Sequence, residues 1–192
     1  MPFALPNLRH DEYRTLVHWL AQGSPVPADD APSEGVAPQF EQWEKFLNSP
    51  GNKQQLVSRY LYEHLFQGHI HFEGSDNREF YRLVRSSTPP GQAIEVINTR
   101  RAYGDPDGPV YYRLERIQGS IVAKDHVVYE LSNERMQRLG ELFLEPEYEV
   151  HDLPAWDPLI ASNPFKTFAP IPPESRYQFL LDDARFFIEG FI

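Results

Sequence analysis

At Gly68 the spacing of apolar residues switches from helical to extended, and that switch limits the folds open to this chain. Before it, Val57, Tyr60, Leu61, His64 and Leu65 fall three and four apart, which predicts a helix from Lys53 to about Gln67 that ends at Gly68. After it, IHF, EFYRLVRSS, AIEVINTRRAY and VYYRLERI read with a period of two, and GSDN, TPPG and GDPDG supply turns. IVAKDHVVYEL reads as a further strand. Helical spacing returns from Asn133 to Leu144 and again after Pro173. Two helices precede the switch. One runs from Gln39 to Asn48 with Phe40, Trp43 and Leu47 on one side; the other runs from His10 to Gln22 with Tyr13, Leu16, Val17 and Leu20. Helices flanking a small antiparallel sheet, with no βαβ alternation, make an α+β fold. The chain has no Gly-rich phosphate loop and no internal repeat.

Residues 24–38, SPVPADDAPSEGVAP, are rich in Pro, Ala and acid and offer almost nothing to bury. They read as a linker between a segment 1–23 and an α+β domain 39–192. The last helix has Tyr177, Leu180, Leu181, Ala184, Phe187, Ile188 and Phe191 on its stripe. No capping Gly, closing base or polar tail follows, so the chain is expected to be a fragment of a longer protein, truncated at its C-terminus.

The net charge of -10 argues against nucleic acid as a partner and against flat docking on an anionic membrane, both of which need a positive field. Basic residues nevertheless gather between Arg78 and Arg116, which leaves room for a cationic pocket. With no cysteine, the chain has no disulfide, no thiolate metal site and no Cys nucleophile. No apolar run approaches the ~20 residues of a membrane span.

Three patterns could carry chemistry. In EHLFQGHIHF, His64 ends a helix while His69 and His71 share one face of a strand, a weak metal-binding candidate set. A helix-end His satisfied by a backbone carbonyl explains the same pattern more plainly. In FYRLVRSS, NTRRAY and YYRLER, residues Arg82, Arg85, Arg100, Arg101 and Arg113 could form a guanidinium cluster for a carboxylate or phosphate. Cross-strand pairing with Glu79, Glu95 and Glu115 is the alternative. Arg82 and Arg85, three apart, fall on opposite faces of a regular strand. Finally, Met1-Pro2, a short loop and an acid-started helix resemble the end of a small c-type cytochrome, where Met is a haem ligand and the helix closes the pocket.

Taken in order, RYLYEHLFQGHIHF, FYRLVRSSTPPG, VINTRRAY, YYRLERIQGSIVAKDH and SNPFKTFAPIPPESRYQFLLDDARFFIEGFI resemble the fatty acid cis/trans isomerases of Gram-negative bacteria. The resemblance implies a periplasmic enzyme that converts cis double bonds of unsaturated phospholipid acyl chains to trans, with no redox cosubstrate. It implies haem c in the parent protein, bound through a Cys-x-x-Cys-His site that this chain lacks, with Met1 as an axial ligand. No haem is attachable to the chain itself, which is expected to be inactive alone. Tyr60, Phe66, Phe179, Phe186 and Phe187 would then line an acyl slot, with Arg82, Arg85, Arg100 and Arg101 toward its polar end. The competing reading is a stand-alone α+β module that binds an anionic or lipid ligand.

Overall fold

The structure, a computed structural model, describes residues 7–24, 32–75, 79–118 and 127–191. The chain divides into two units, residues 1–30 and 31–192. In the first, α1 (His10–Ala21) opens with the Glu12 carboxylate accepting the Arg9 N–H at 2.8 Å. Its apolar stripe of Tyr13, Leu16, Val17 and Leu20 is exposed. Met1 lies outside the described residues.

The second unit begins earlier than the sequence suggests. Val36, inside the stretch read as a linker, is only 2% exposed, and the Ser33 N–H donates to Glu79 at 2.9 Å. From there α2 (Ala37–Leu47) and α3 (Asn52–Leu65) lead into the sheet. Its strands are β1 (His69–Phe72), β2 (Tyr81–Ser86), β3 (Tyr111–Arg116) and β4 (Val128–Leu131), in the spatial order β3-β2-β1-β4. Then come α4 (Asn133–Phe143), the single turns α5 (Pro158–Ala161) and α6 (Pro164–Thr167), and α7 (Pro173–Phe191). The α+β class stands.

The sheet itself is mixed, not antiparallel. β2 pairs antiparallel with β1 and β3, but β4 runs parallel to β1, from His69 opposite Val128 to Phe72 opposite Leu131. A two-residue period tells which face a side chain takes, not which strand lies beside it. Gly68 serves this junction by its size: a Cβ there would stand 3.2 Å from the Leu65 carbonyl, with the β4 residue Tyr129 close behind.

AIEVINTRRAY does not form the expected strand. A single bridge joins Val96 to Ser86, after which the chain turns. Arg85 explains the turn. Its buried guanidinium, 1% exposed, donates to the Gly104 carbonyl at 2.7 Å and to Thr99 Oγ1. Satisfying a buried cation outweighs local strand propensity.

Edge strand β3 is laced to α2 by side chains. Asn48 accepts the Tyr112 N–H at 2.9 Å and donates to the Tyr112 carbonyl at 2.7 Å. One turn earlier, Glu44 accepts the Leu114 N–H at 3.1 Å and the Arg113 Nε–H at 2.8 Å. These residues give the edge backbone the partners a further strand would have provided.

One core spans these elements. Trp43, Leu56, Val57 and Leu61 meet Ile70, Phe72, Tyr81, Leu83, Leu114, Tyr129 and Leu131 of the sheet, and Leu139, Phe143 and Phe179 complete the cluster. Two Pro-preceding residues shape the chain after α4. Asp157 and Asn163 accept the Leu159 and Phe165 N–H groups at 2.8 and 3.1 Å, so each caps a turn whose first residue is Pro.

Candidate functional site

A cleft of ≈ 700 Å³ opens between the last turns of α3, the loop 99–103 and the pair α5–α6. Tyr60, Tyr62, Phe66 and Phe168 make its apolar walls, Glu63, Arg100 and Arg101 bring charge to it, and His64 adds an imidazole. That volume lies within the ~300–1,000 Å³ usual for small-molecule sites. Tyr60 is fixed from behind by edge-on contacts with Phe143, Phe168 and Phe179, whose ring centroids lie 5.5, 5.0 and 5.6 Å away.

The arginines expected to form one cluster have separate roles. Arg82 sits on the solvent face of β2, paired with Glu115 directly across the strand. It belongs to a different hollow, of ≈ 380 Å³, with Gln67, Gly68 and His69. Arg85, on the other face as the strand period requires, reaches the underside of the loop 99–104. It holds Thr99 and Gly104, while its guanidinium lies 5.4 Å from the Tyr62 ring and 5.2 Å from Trp156. Arg113 is taken by Glu44 and by the Pro89 carbonyl at 2.7 Å. Arg100 and Arg101 alone of the set reach the cleft. Arg101 donates to the Tyr103 hydroxyl at 3.0 Å, and exposed Arg100 has no hydrogen-bond or ion-pair partner among the described residues.

Of the expected Glu partners, Glu115 takes Arg82, and Glu79 lies 4.0 Å from Arg116. Glu95 turns instead to the Ser87 hydroxyl at 3.0 Å.

His64 lines the cleft but is committed on one side. Its Nε2 lies 2.8 Å from Asp183 Oδ2 of α7, and the other carboxylate oxygen accepts from Tyr129 at 2.9 Å and Arg135 at 3.0 Å. His69 and His71 stand along β1 beside Phe80, away from that network. No group of three His, Cys, Asp or Glu side chains among the described residues is arranged to hold a metal ion. The structure therefore does not assemble the metal set that the sequence pattern allowed.

Of the aromatics expected to line a slot, Tyr60 and Phe66 do so. Phe179 is buried behind them at 2% exposure, and Phe186 and Phe187 pack against Tyr129. Sequence reasoning missed Tyr62, Glu63, Thr99, Ser162 and Phe168. The signal for the last two was Asp157-Pro158 and Asn163-Pro164, each a helix start.

Burial raises the Glu63 carboxyl above the ordinary carboxylate value, against the opposing pull of Arg59, whose Nε–H it accepts at 2.8 Å. Burial likewise raises the Tyr60 and Tyr62 hydroxyls. The site is thus an open cleft with aromatic walls and arginines at its rim, a form suited to an amphiphile with an anionic head. No described helix is long and apolar enough to cross a membrane.

Neither a curated protein nor a solved structure matches the chain. The profile of one family, described as Fatty acid cis/trans isomerase (CTI), matches it from residue 1 to residue 192. Over its whole length, then, the chain belongs to the fatty acid cis/trans isomerase family.

Proposed function

We propose that this chain holds the acyl substrate of a periplasmic enzyme that converts cis double bonds of unsaturated phospholipid acyl chains to trans. The acyl chain lies in the cleft along Tyr60, Tyr62, Phe66 and Phe168, and its ester or phosphate end meets Arg100 and Arg101. The observation that carries this reading is the pairing of an aromatic slot with an exposed, unpaired guanidinium in a member of this family. Substrate and product have the same composition, so the reaction has no net transfer of electrons or protons. Rotation requires a transient loss of π overlap, and the part of this cleft is to hold and orient the acyl chain for it.

Haem c, which the family resemblance implies, does not fit the residues present. Covalent attachment requires cysteine thiols, and the chain has none. We therefore assign substrate binding to these residues, not bond rotation, and expect the chain by itself to leave the double bond unchanged.

Fluorescence titration with a conjugated polyene fatty acid tests the assignment. The chain should bind the probe saturably, and an excess of a cis-monounsaturated acid should displace it. Phe66→Ala and Tyr60→Ala should each weaken binding by about tenfold, the order expected for losing a buried aromatic contact. Absence of saturable binding would overturn the reading. Equal binding of short phosphate esters that lack an acyl chain would instead favour a stand-alone anion-binding module.

A further inference from the structure

The two large apolar side chains that the fold leaves most exposed, among the described residues, stand on the short turns bordering the cleft. Leu159 of α5 is 82% exposed and Phe165 of α6 is 78% exposed. Their immediate neighbours Ala161, Ser162, Pro164 and Phe168 form one wall of the cleft. Proline at the first position of each turn and the Asp157 and Asn163 caps hold both tips outward on rigid backbone. With Ile160 between them, 39% exposed, the two tips offer apolar area whose burial against an apolar partner is favourable.

Charge identifies the cover. Lys166 follows Phe165 and is exposed, and Arg100 and Arg101 lie at the same cleft; against Glu63 in that cleft, whose Oε1 already accepts from Arg59, they leave this border a cationic fringe on a chain of net charge -10. The caps place Asp157 here as well, with its carboxylate turned to the Leu159 N–H. The exposed stripe on α7 (Tyr177, Leu180, Leu181 and Ile188) is longer, but that helix carries Glu174, Asp182, Asp183 and Glu189 against only Arg176 and Arg185, a negative balance that opposes an anionic surface.

We infer that the α5–α6 knuckle is a membrane-docking surface: Leu159 and Phe165 insert among the acyl chains of a phospholipid bilayer, Lys166 and Arg100 meet its phosphates, and the cleft mouth opens onto the lipid. The insertion is local, a few ångströms deep, which is why a chain of strongly negative total charge can dock without a broad basic face. The inference rests on the acyl-binding reading of the cleft, because docking here delivers lipid directly to that mouth.

Co-sedimentation with large vesicles of equimolar oleoyl phosphatidylethanolamine and phosphatidylglycerol tests it. The double variant Leu159→Ser/Phe165→Ser removes the tips without touching the core, so its thermal midpoint should match that of the unaltered chain. Its vesicle affinity should fall on the order of 10- to 100-fold, as expected for losing two inserted side chains. Lys166→Glu should weaken binding about fivefold or more, since a basic residue at an anionic surface contributes roughly a factor of five. In Phe165→Trp, the added indole emission should shift to the blue and be quenched by lipids brominated on their acyl chains. Binding of the soluble polyene fatty acid should survive the double substitution. Its loss from the unaltered chain, with vesicle binding intact, would overturn the cleft reading and leave docking standing. Equal sedimentation of the double variant and the unaltered chain would overturn docking. So would self-association abolished by the double variant, which would make a second copy the cover.

Discussion

Arg113 and Arg100 lie on either side of the same turn, and the fold treats them in opposite ways. Arg113 is buried at the sheet edge, with its Nε–H on Glu44 and its Nη1 donating to backbone carbonyls of the turn 88–92. Arg100 stands exposed on a loop that a third arginine, Arg85, holds from beneath. The contrast separates two settings: where a carboxylate is built in, the cation is buried and holds the fold together, and where none is supplied, it stays at the surface, the position the proposed function uses for an anionic ligand.

Removing the buried member should have the largest effect. Arg113→Ala leaves Glu44 buried and unpaired, and chemical denaturation should show a loss of about 3–5 kcal/mol. A loss below about 1 kcal/mol would erase the contrast, since that is the scale of an exposed pair. Next comes the loop between the two. A Cβ at Gly104 would lie 2.9 Å from Thr99 Cβ and 3.1 Å from the Arg101 carbonyl. Gly104→Ala should therefore cost about 1–3 kcal/mol and also weaken fatty acid binding, by displacing Arg100 and Arg101.

Two carboxylates extend the comparison to pH. Burial pushes Glu79 up, but hydrogen bonds from Tyr81 and Ser33 outweigh it and hold its carboxyl below the ordinary value of 4.5. Its stabilising contribution is complete above that value and is lost as pH falls through the lowered folded one. Glu63 in the cleft is raised, so its contribution is complete below 4.5 and is lost as pH rises through its folded value. Acid unfolding of Glu79→Gln should be shallower than that of the unaltered chain; an identical acid limb would count against the Glu79 network. The smallest effect on stability belongs to Arg100→Ala, within about 0.5 kcal/mol. Its mark should appear in binding, as a loss for anionic lipids that is absent for the corresponding fatty alcohols.

The same contrast shows what could be read in the sequence. Helices α2, α3 and α4 were legible to within a few residues, because the stripes through Trp43, Leu61 and Leu139 keep helical spacing and Pro or Gly brackets most of them. The extent of α7 was legible too, but not its inward face: the stripe read through Tyr177, Leu180, Leu181 and Ile188 is exposed, and Phe179 and Asp183 turn inward instead. Strands β2 and β3 were legible from their alternation, as was the placement of Arg82 and Arg85 on opposite faces. The parallel partnership of β1 with β4 was not, since it joins residues far apart in sequence that carry no pairing code. Nor was the loop 99–104 legible: AIEVINTRRAY has strand composition, and what bends it is a guanidinium on another element. The site was half visible for the same reason. Local pattern identified Tyr60, Phe66, Arg100 and Arg101, whereas Tyr62, Ser162 and Phe168 joined them through tertiary packing.

The lacing of β3 by Glu44 and Asn48 has a consequence for how copies of this chain behave together. A bare outer strand is a template on which a neighbouring molecule can add its own strand and start a growing stack. Here two side chains from one helix occupy that template with hydrogen bonds no passing strand can easily displace. Asn48 is thus a guardian of solubility as much as a packing residue: without it, the outer edge of the sheet would be open to recruitment by other copies.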